Sequence, residues 1–276
     1  MLANPPRLPR LAKAAAFLIL AGLPLAGHSA SAEEIYADYR VTYAGLPAGE
    51  IRFGFTGDGA RYQDKISVES AGLPRWITHF RGIASGEGNL SDDGKADPQG
   101  YDVLYDLRQR RDERIDLRFT GAAGNVIAER SGDDTSRKPP IAENLRRNTV
   151  DPIAAMAAIR QNLRLHGDGV PPDFTIPVYD GTRRFDVQVH AEPAGEDTEN
   201  DGLIHLHLTL QPIAGFWEES GEDVNPSANP RPVEAVFTAD DQHLPVYMRV
   251  SIWYLPMVVK FDHLCQSFES CGKPGG

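Results

Sequence analysis

From Ile35 onward the apolar positions recur at every second residue. Ile35, Ala37, Tyr39, Val41 and Tyr43 alternate with Tyr36, Asp38, Arg40 and Thr42, the period of a half-buried strand. Gly45 to Gly49 make a turn, after which Ile51, Phe53 and Phe55 alternate with Glu50, Arg52 and Gly54. Gly57-Asp58-Gly59 turns the chain again, into a strand with Tyr62, Ile66 and Val68 on one face and Arg61, Gln63, Lys65, Ser67 and Glu69 on the other. Three strands joined by short turns predict an antiparallel meander. The same signal returns over residues 81–90, 101–107, 114–119, 125–129, 174–178, 185–189, 203–210, 232–238, 244–254 and 257–264. Asp180-Gly181 supplies a strong hairpin turn between two of these runs. With no internal repeat or linker, residues 33–276 read as a single all-β domain. Because almost every strand keeps one polar face, the expected architecture is a strongly curved antiparallel sheet or partly open β-barrel.

Two segments depart from the alternation. Leu73, Trp76, Ile77 and Phe80 recur at three and four positions, and Pro74 cannot donate to a sheet ladder. Residues 72–80 therefore read as a short helix or apolar lid over the concave face. The second departure is the one convincing helix. Asp151 suits its cap and Pro152 its first position, where no amide hydrogen is needed. Ile153, Met156, Ile159 and Leu163 fall roughly on one side, and Gly167 or Gly169 stops it. This helix should lie against the concave side or mouth of the sheet, with Met156 as core. The polar, proline-bearing stretch before it, residues 131–150, reads as a long loop.

The amino terminus carries no strand signal. Arg7, Arg10 and Lys13 precede an apolar run from Ala14 to Gly27, and Ala30-Ser31-Ala32 has a small-x-small pattern. This predicts a cleavable secretory signal at residues 1–32. A retained anchor is the competing reading, but Pro24 interrupts the run. Export would place the remainder in the periplasm of a bacterium with an outer membrane, with no membrane span after cleavage. In that compartment the two cysteines, Cys265 and Cys271, most simply form one disulfide. On the chain-entropy account so small a loop contributes about 2 to 3 kcal/mol. Redox-active pairs commonly have two intervening residues, and four zinc ligands cannot be assembled here.

Composition and charge narrow the chemistry. The chain of 276 residues is 41% hydrophobic and 24% charged, a globular composition. Its net charge of −11 becomes −14 beyond residue 32, with 25 basic against 39 acidic residues. That balance argues against a nucleic-acid partner. His205 and His207 share one strand face about 6.5 to 7 Å apart along the chain, so a metal would need a third ligand from a neighbouring strand; an outer polar face is the simpler reading. Gly82 to Gly86 loosely resembles a nucleophile elbow, but the serine is fourth and no helix follows. Glu218, Glu219, Glu222 and Asp223 are read as a solvated acidic rim, and Arg108 to Arg114 as a hairpin tip. Metalloprotease, phosphate-loop, dinucleotide and calcium motifs are all missing from the chain. No cofactor or metal is therefore expected.

The order of motifs carries a resemblance. Tyr39-x-Val41, the Gly45 and Gly49 turn, Asp151-Pro152, Val178-Tyr179-Asp180-Gly181 with Arg184-Phe185, Gly215-Phe216, and Leu244-Pro245-Val246 followed by Arg249 and Ile252 together resemble the bacterial family called domain of unknown function 3108. The likeness covers about residues 35 to 264. It implies an exported envelope protein and assigns no catalytic residue. Tyr254-Leu255-Pro256 and the cysteine-bearing tail depart from the family pattern. The expected architecture also looks like the unclosed barrels of the periplasmic Lol lipoprotein carriers, which hold acyl chains on a concave apolar face under a helical lid. This is a fold-level analogy.

These readings converge on a non-catalytic periplasmic binding or carrier protein for a lipid, acyl chain or envelope protein segment. Its expected lining is Phe53, Phe55, Leu73, Trp76, Ile77, Phe80 and Trp253, with ordinary core packing as the competing role for each. The alternatives are a periplasmic hydrolase using a carboxylate or the histidine pair, and a structural interaction protein of the envelope.

Overall fold

Alternation produces strands where the inward residues find partners across the sheet. The computed structural model describes residues 33–72, 79–108, 110–121, 125–132, 141–167, 171–192, 202–216, 229–252 and 254–272. Leu73, Trp76, Ile77, Trp253, the acidic run from Glu218 to Asp223 and residues 1–32, expected to be a secretory signal, lie outside the described residues. The strands are β1 (Glu33–Tyr43), β2 (Leu46–Gly57), β3 (Arg61–Ser70), β4 (Arg81–Leu90), β5 (Ala96–Leu107), β6 (Arg110–Thr120), β7 (Ile127–Ser131), β8 (Phe174–Tyr179), β9 (Arg184–Ala191), β10 (Leu203–Ala214), β11 (Arg231–Thr238), β12 (Pro245–Ile252) and β13 (Leu255–Cys265). Helix α1 (Pro152–His166) separates β7 from β8.

All thirteen strands join one sheet in the order β7-β6-β5-β4-β3-β2-β1-β13-β12-β11-β10-β9-β8. Every neighbouring pair is antiparallel, including the long-range pairing of β1 with β13. The edges β7 and β8 are joined by a strap, residues 147–150. Arg147 bridges Ile127, and Val150 bridges Val178 in parallel. Val150 N donates to Pro177 O at 2.8 Å, and Val150 O accepts from Tyr179 N at 2.8 Å. A nearly closed barrel results. The described part of the stretch read as a long loop, residues 141–150, is thus structural: a 3-10 turn at Glu143–Leu145 leads into this strap. Isolated bridges carry no periodicity, which is why the sequence pattern did not reveal them.

The helix begins where its cap predicts, but its environment differs from the one-sided packing expected of it. Nine of its fifteen residues are buried: Ile153, Ala154, Ala155, Ala157, Ala158, Ile159, Arg160, Gln161 and Leu163. Ala155, Ala158, Ile159 and Leu163 pack with β8 to β11, among Ile176, Val178, Leu206 and Phe237. Ile153, Ala154 and Ala157 face the opposite wall, among Tyr62, Ala84, Tyr101, Ile115 and Leu117. A helix inside a barrel must be narrow, and alanine supplies narrowness on the faces where the walls approach. Gly86 of β4 shows how close that approach is. A Cβ built there would lie 2.9 Å from Ile153 Cβ and 3.2 Å from Asp151 Oδ1.

The tail covers the outside of the wall. Cys265 and Cys271 form a disulfide with a Cα separation of 5.4 Å. Gly272 N then donates to Asp38 Oδ2 at 2.8 Å, so an aspartate on the nominally outer face of β1 is buried. Lys65 Nζ stands 4.6 Å from the Phe268 ring centroid.

Two outcomes follow for stability. Replacing both cysteines by serine should lower the unfolding free energy by about 2 kcal/mol in denaturant titrations without loss of strand signal; an unchanged midpoint would mean the tail is held by Gly272 and Phe268 alone. Gly86→Val should cost about 1 to 3 kcal/mol by overpacking against Ile153, whereas Gly100→Ala, whose Cβ would first meet the flexible ends of the Arg118 and Glu87 side chains, should cost less.

Candidate functional site

Because the strands alternate in direction, the turns at Ala44-Gly45, Arg108, Asp180 to Arg183 and Tyr254 share one end of the barrel with the β3–β4 connection. Helix α1 enters the lumen from this side and runs toward the other end. Its last two turns are fixed there by charge. Arg160 Nη2 donates to Gln242 O at 2.6 Å, and Arg164 Nη2 meets Glu33 Oε2 at 2.9 Å. The Arg160 guanidinium also covers Phe55, 4.1 Å from the ring centroid. One end of the lumen is therefore filled.

The other end is not. Above the first turn of α1 lies a concavity of about 670 Å³. Its walls are Phe53 of β2, Ile66 and Val68 of β3, Phe80 and Ala84 beside and within β4, Tyr101, Val103 and Tyr105 of β5, and Ile115 of β6. Pro152, Ile153 and Met156 form its floor. Asp180 and Arg183, on the β8–β9 turn, are the charged groups lining it among the described residues. The volume falls within the range of about 300 to 1,000 Å³ typical of ligand sites.

Of the residues the sequence nominated, Phe53 and Phe80 line this concavity. Phe55 does not: it is 1% exposed, stacks on Phe53 with ring centroids 4.0 Å apart, and lies beneath Arg160. Leu73, Trp76, Ile77 and Trp253 are among the undescribed residues, so the lid expected over the concave face lies outside the described residues as well. Met156, read as core, belongs to the floor. Ile66, Val68, Tyr101, Val103 and Tyr105 were visible only as inward strand positions, since depth of helix insertion decides which of those stay uncovered.

Below the floor is a polar seam that the strand pattern could have flagged. Asp64 occupies the same face of β3 as Tyr62, Ile66 and Val68, and a carboxylate in an apolar stripe is a signal. It is 2% exposed, and its Oδ1 accepts from Thr56 N at 3.0 Å. Asp64 pairs with Gly86 across the β3–β4 ladder, which sets it beside Asp151. Asp151 is wholly buried, and its Oδ1 accepts from Ile153 N and Ala154 N, both at 2.9 Å. Burial raises each carboxyl to about 7, against those hydrogen bonds. The Oδ2 atoms of both, and the hydroxyls of Tyr39 and Tyr62, are buried with no hydrogen-bond partner among the described residues. Burial likewise pushes the Tyr62 hydroxyl up and the Arg160 guanidinium down.

The other sequence candidates lie away from the lumen. His205 and His207 alternate with the buried Leu206 and Leu208 on β10, and His207 Nε2 meets Glu192 Oε1 at 2.7 Å on the outer face. Among the described residues no group of three or more metal-ligating side chains converges. Ser85 is exposed in the middle of β4, without the turn a nucleophile elbow requires. Arg108 and Arg111 to Arg114 belong to the β5–β6 hairpin, where Asp106 accepts from Arg81 Nε at 2.6 Å and from Arg111 Nη1 at 3.2 Å. No described helix is long and apolar enough to cross a membrane.

Fold and site together define a helix-filled β-barrel whose lumen is open and apolar at one end. The family described as "Protein of unknown function (DUF3108)" matches residues 38–259, and the chain belongs to that family. No curated protein matches the sequence. Among solved structures, the chain is similar to the crystal structure of a beta-barrel-like protein of domain of unknown function DUF1849 from Brucella abortus, at 12% identity and a TM-score of 0.48, over 84% of this chain and 96% of that one.

The buried carboxyls make stability depend on pH with a definite sign. Their folded pKa of about 7 exceeds the unfolded value of about 3.9, so their stabilising contribution is complete below pH 4 and is lost as pH rises through 7. Asp151→Asn keeps the cap acceptor and removes one ionisation. Relative to the wild type it should gain about 1 to 3 kcal/mol between pH 4 and pH 8 in paired melts, whereas parallel profiles would place the proton elsewhere. Asp151→Ala should lose about 1 to 2 kcal/mol at pH 4 through the missing cap.

Proposed function

We propose that this protein is a non-catalytic carrier or binding protein that holds an apolar chain in the open end of its barrel, and that it works in the periplasm after export. The observation that carries this reading is the concavity of about 670 Å³ above α1. A lumen could be filled by side chains throughout, as small barrels commonly are. Here the helix fills only the far end, and the near end keeps aromatic and branched aliphatic side chains facing open space. Burying an acyl chain against them is favourable by about 25 cal/mol per Å² of apolar surface removed from water.

The rival hydrolase reading draws less support from the same wall. Asp180 is its only lining carboxylate among the described residues, and the His205/His207 pair faces the outside. The acids of the polar seam lie beneath the floor and are engaged in capping and ladder contacts. The family assignment adds an unknown-function domain and no chemistry.

Val68→Trp should fill the concavity and weaken a neutral lipophilic fluorescent probe at least about tenfold, with little change in the thermal midpoint, because Val68 is only partly buried. Retention of wild-type binding by a folded Val68→Trp protein would contradict the reading. Native mass spectrometry of protein released gently from the periplasm should show an adduct that organic extraction removes.

A further inference from the structure

Arg183 gives the open end of the lumen a chemical polarity. It sits on the β8–β9 turn, whose geometry is held from several sides. Asp180 Oδ1 accepts from Thr182 N at 2.8 Å, Thr182 Oγ1 at 2.9 Å and Arg183 N at 2.6 Å. Asp180 N donates to Arg183 O at 3.1 Å, and Tyr179 Oη donates to Gly181 O at 3.0 Å. Gly181, at φ +91, lies so close to the opposite wall that a Cβ there would be 2.4 Å from Ile115 Cγ2. Only glycine fits both that backbone conformation and that gap. The turn is therefore anchored to the wall of the concavity, and Arg183 with it.

The arginines around the barrel are mostly paired. Arg81 and Arg111 share Asp106, Arg118 meets Asp102, Arg147 meets Glu143, Arg160 and Arg164 share Glu33, and Arg184 meets Asp186. Arg183 differs. Among the described residues no carboxylate lies within ion-pair distance of it, and its Nε is buried without a hydrogen-bond partner. Its guanidinium carbon stands over the Phe216 ring, 5.6 Å from the centroid, a cation–π contact that uses none of the N–H donors of the fork. Asp180, the other charged group on this wall, already has one carboxylate oxygen saturated by three donors of its own turn. An apolar chamber with one unpaired guanidinium at its wall matches an apolar chain with one anionic head.

Resting on the carrier reading above, we infer that the ligand is an amphipathic anion, a long acyl chain ending in a carboxylate. The head pairs with the Arg183 guanidinium, and the chain lies along Phe53, Ile66, Val68 and Met156. Arginine suits this role because its fork binds a carboxylate through two parallel N–H bonds. Partial enclosure beside apolar side chains strengthens that attraction over its value in water.

The test compares two probes of one chain length, palmitate and methyl palmitate, by displacement of a fluorescent lipophile at pH 8 and low salt. The wild type should bind the acid about tenfold or more tightly than the ester, in line with a charge-assisted hydrogen-bond pair. Arg183→Gln should bring acid and ester within about twofold while leaving the ester unchanged, and Arg183→Lys should keep part of the preference. Equal affinity of the wild type for both probes would overturn the head-group assignment and leave the carrier reading standing. A preference that survives Arg183→Gln would place the anion elsewhere and overturn it as well. Binding of neither probe would overturn the carrier reading and this inference together. Should Arg183→Gln melt early, the wild-type comparison and Arg183→Lys decide the matter alone.

Discussion

A helix that enters the lumen of a barrel must satisfy its first amide hydrogens where no water reaches them. Asp151 does this with a single oxygen, accepting from Ile153 N and Ala154 N inside the wall of β4. The same few residues close the barrel, since the strap from Arg147 to Val150 bridges the two sheet edges immediately before the cap. Capping, closure and the position of the helix are thus one construction. It also sets the floor of the open chamber, because Pro152, Ile153 and Met156 stop where the cap holds them. The energetic cost of the arrangement is visible in the raised Asp151 and Asp64 carboxyls.

Much of the fold could be read along the chain because strand alternation and the Asp-Pro helix start are local signals. The inward stripe Ile35, Ala37, Tyr39 and Val41 is buried as its period requires, and the disulfide joins the cysteines that spacing and expected compartment paired. What stayed hidden depends on distance. Ala154, Ala157 and Ala158 carry no amphipathic signal, yet they are the residues that let the helix fit between two walls. The strap rests on single bridges. Asp38 looks like an outer polar residue until the tail folds over it. Phe53 and Phe80 line the chamber and Phe55 does not, a distinction made by Arg160, a residue more than a hundred positions away in the sequence. Asp64 could have been noticed, as a carboxylate on the same face as Tyr62 and Ile66.

The lumen divides into two regimes. At the far end, arginines of α1 are tied to Glu33 and to backbone carbonyls, and the buried polar groups of the seam lie just inside. At the near end the walls are aromatic and aliphatic, with Arg183 as the lone uncompensated cation among the described lining residues. The first regime pins the helix at a fixed depth. The second is what that depth leaves uncovered. A shift of α1 by one turn would move its floor residues by about 5.4 Å, enough to fill much of the chamber, so retention of the cap and availability of the site are coupled.

The most direct test is where an acyl chain comes to rest. Methyl-resolved NMR spectra of the protein, titrated with a spin-labelled fatty acid and then with its reduced, diamagnetic form, report proximity residue by residue. Broadening that is strongest at Ile66, Val68, Val103, Ile153 and Met156, and weak at Leu206, Leu208 and Val233 behind the helix, is the expected result. Broadening confined to outward side chains such as Leu46 and Leu264, or none at all, would contradict the claim that the open end of the lumen is a ligand site.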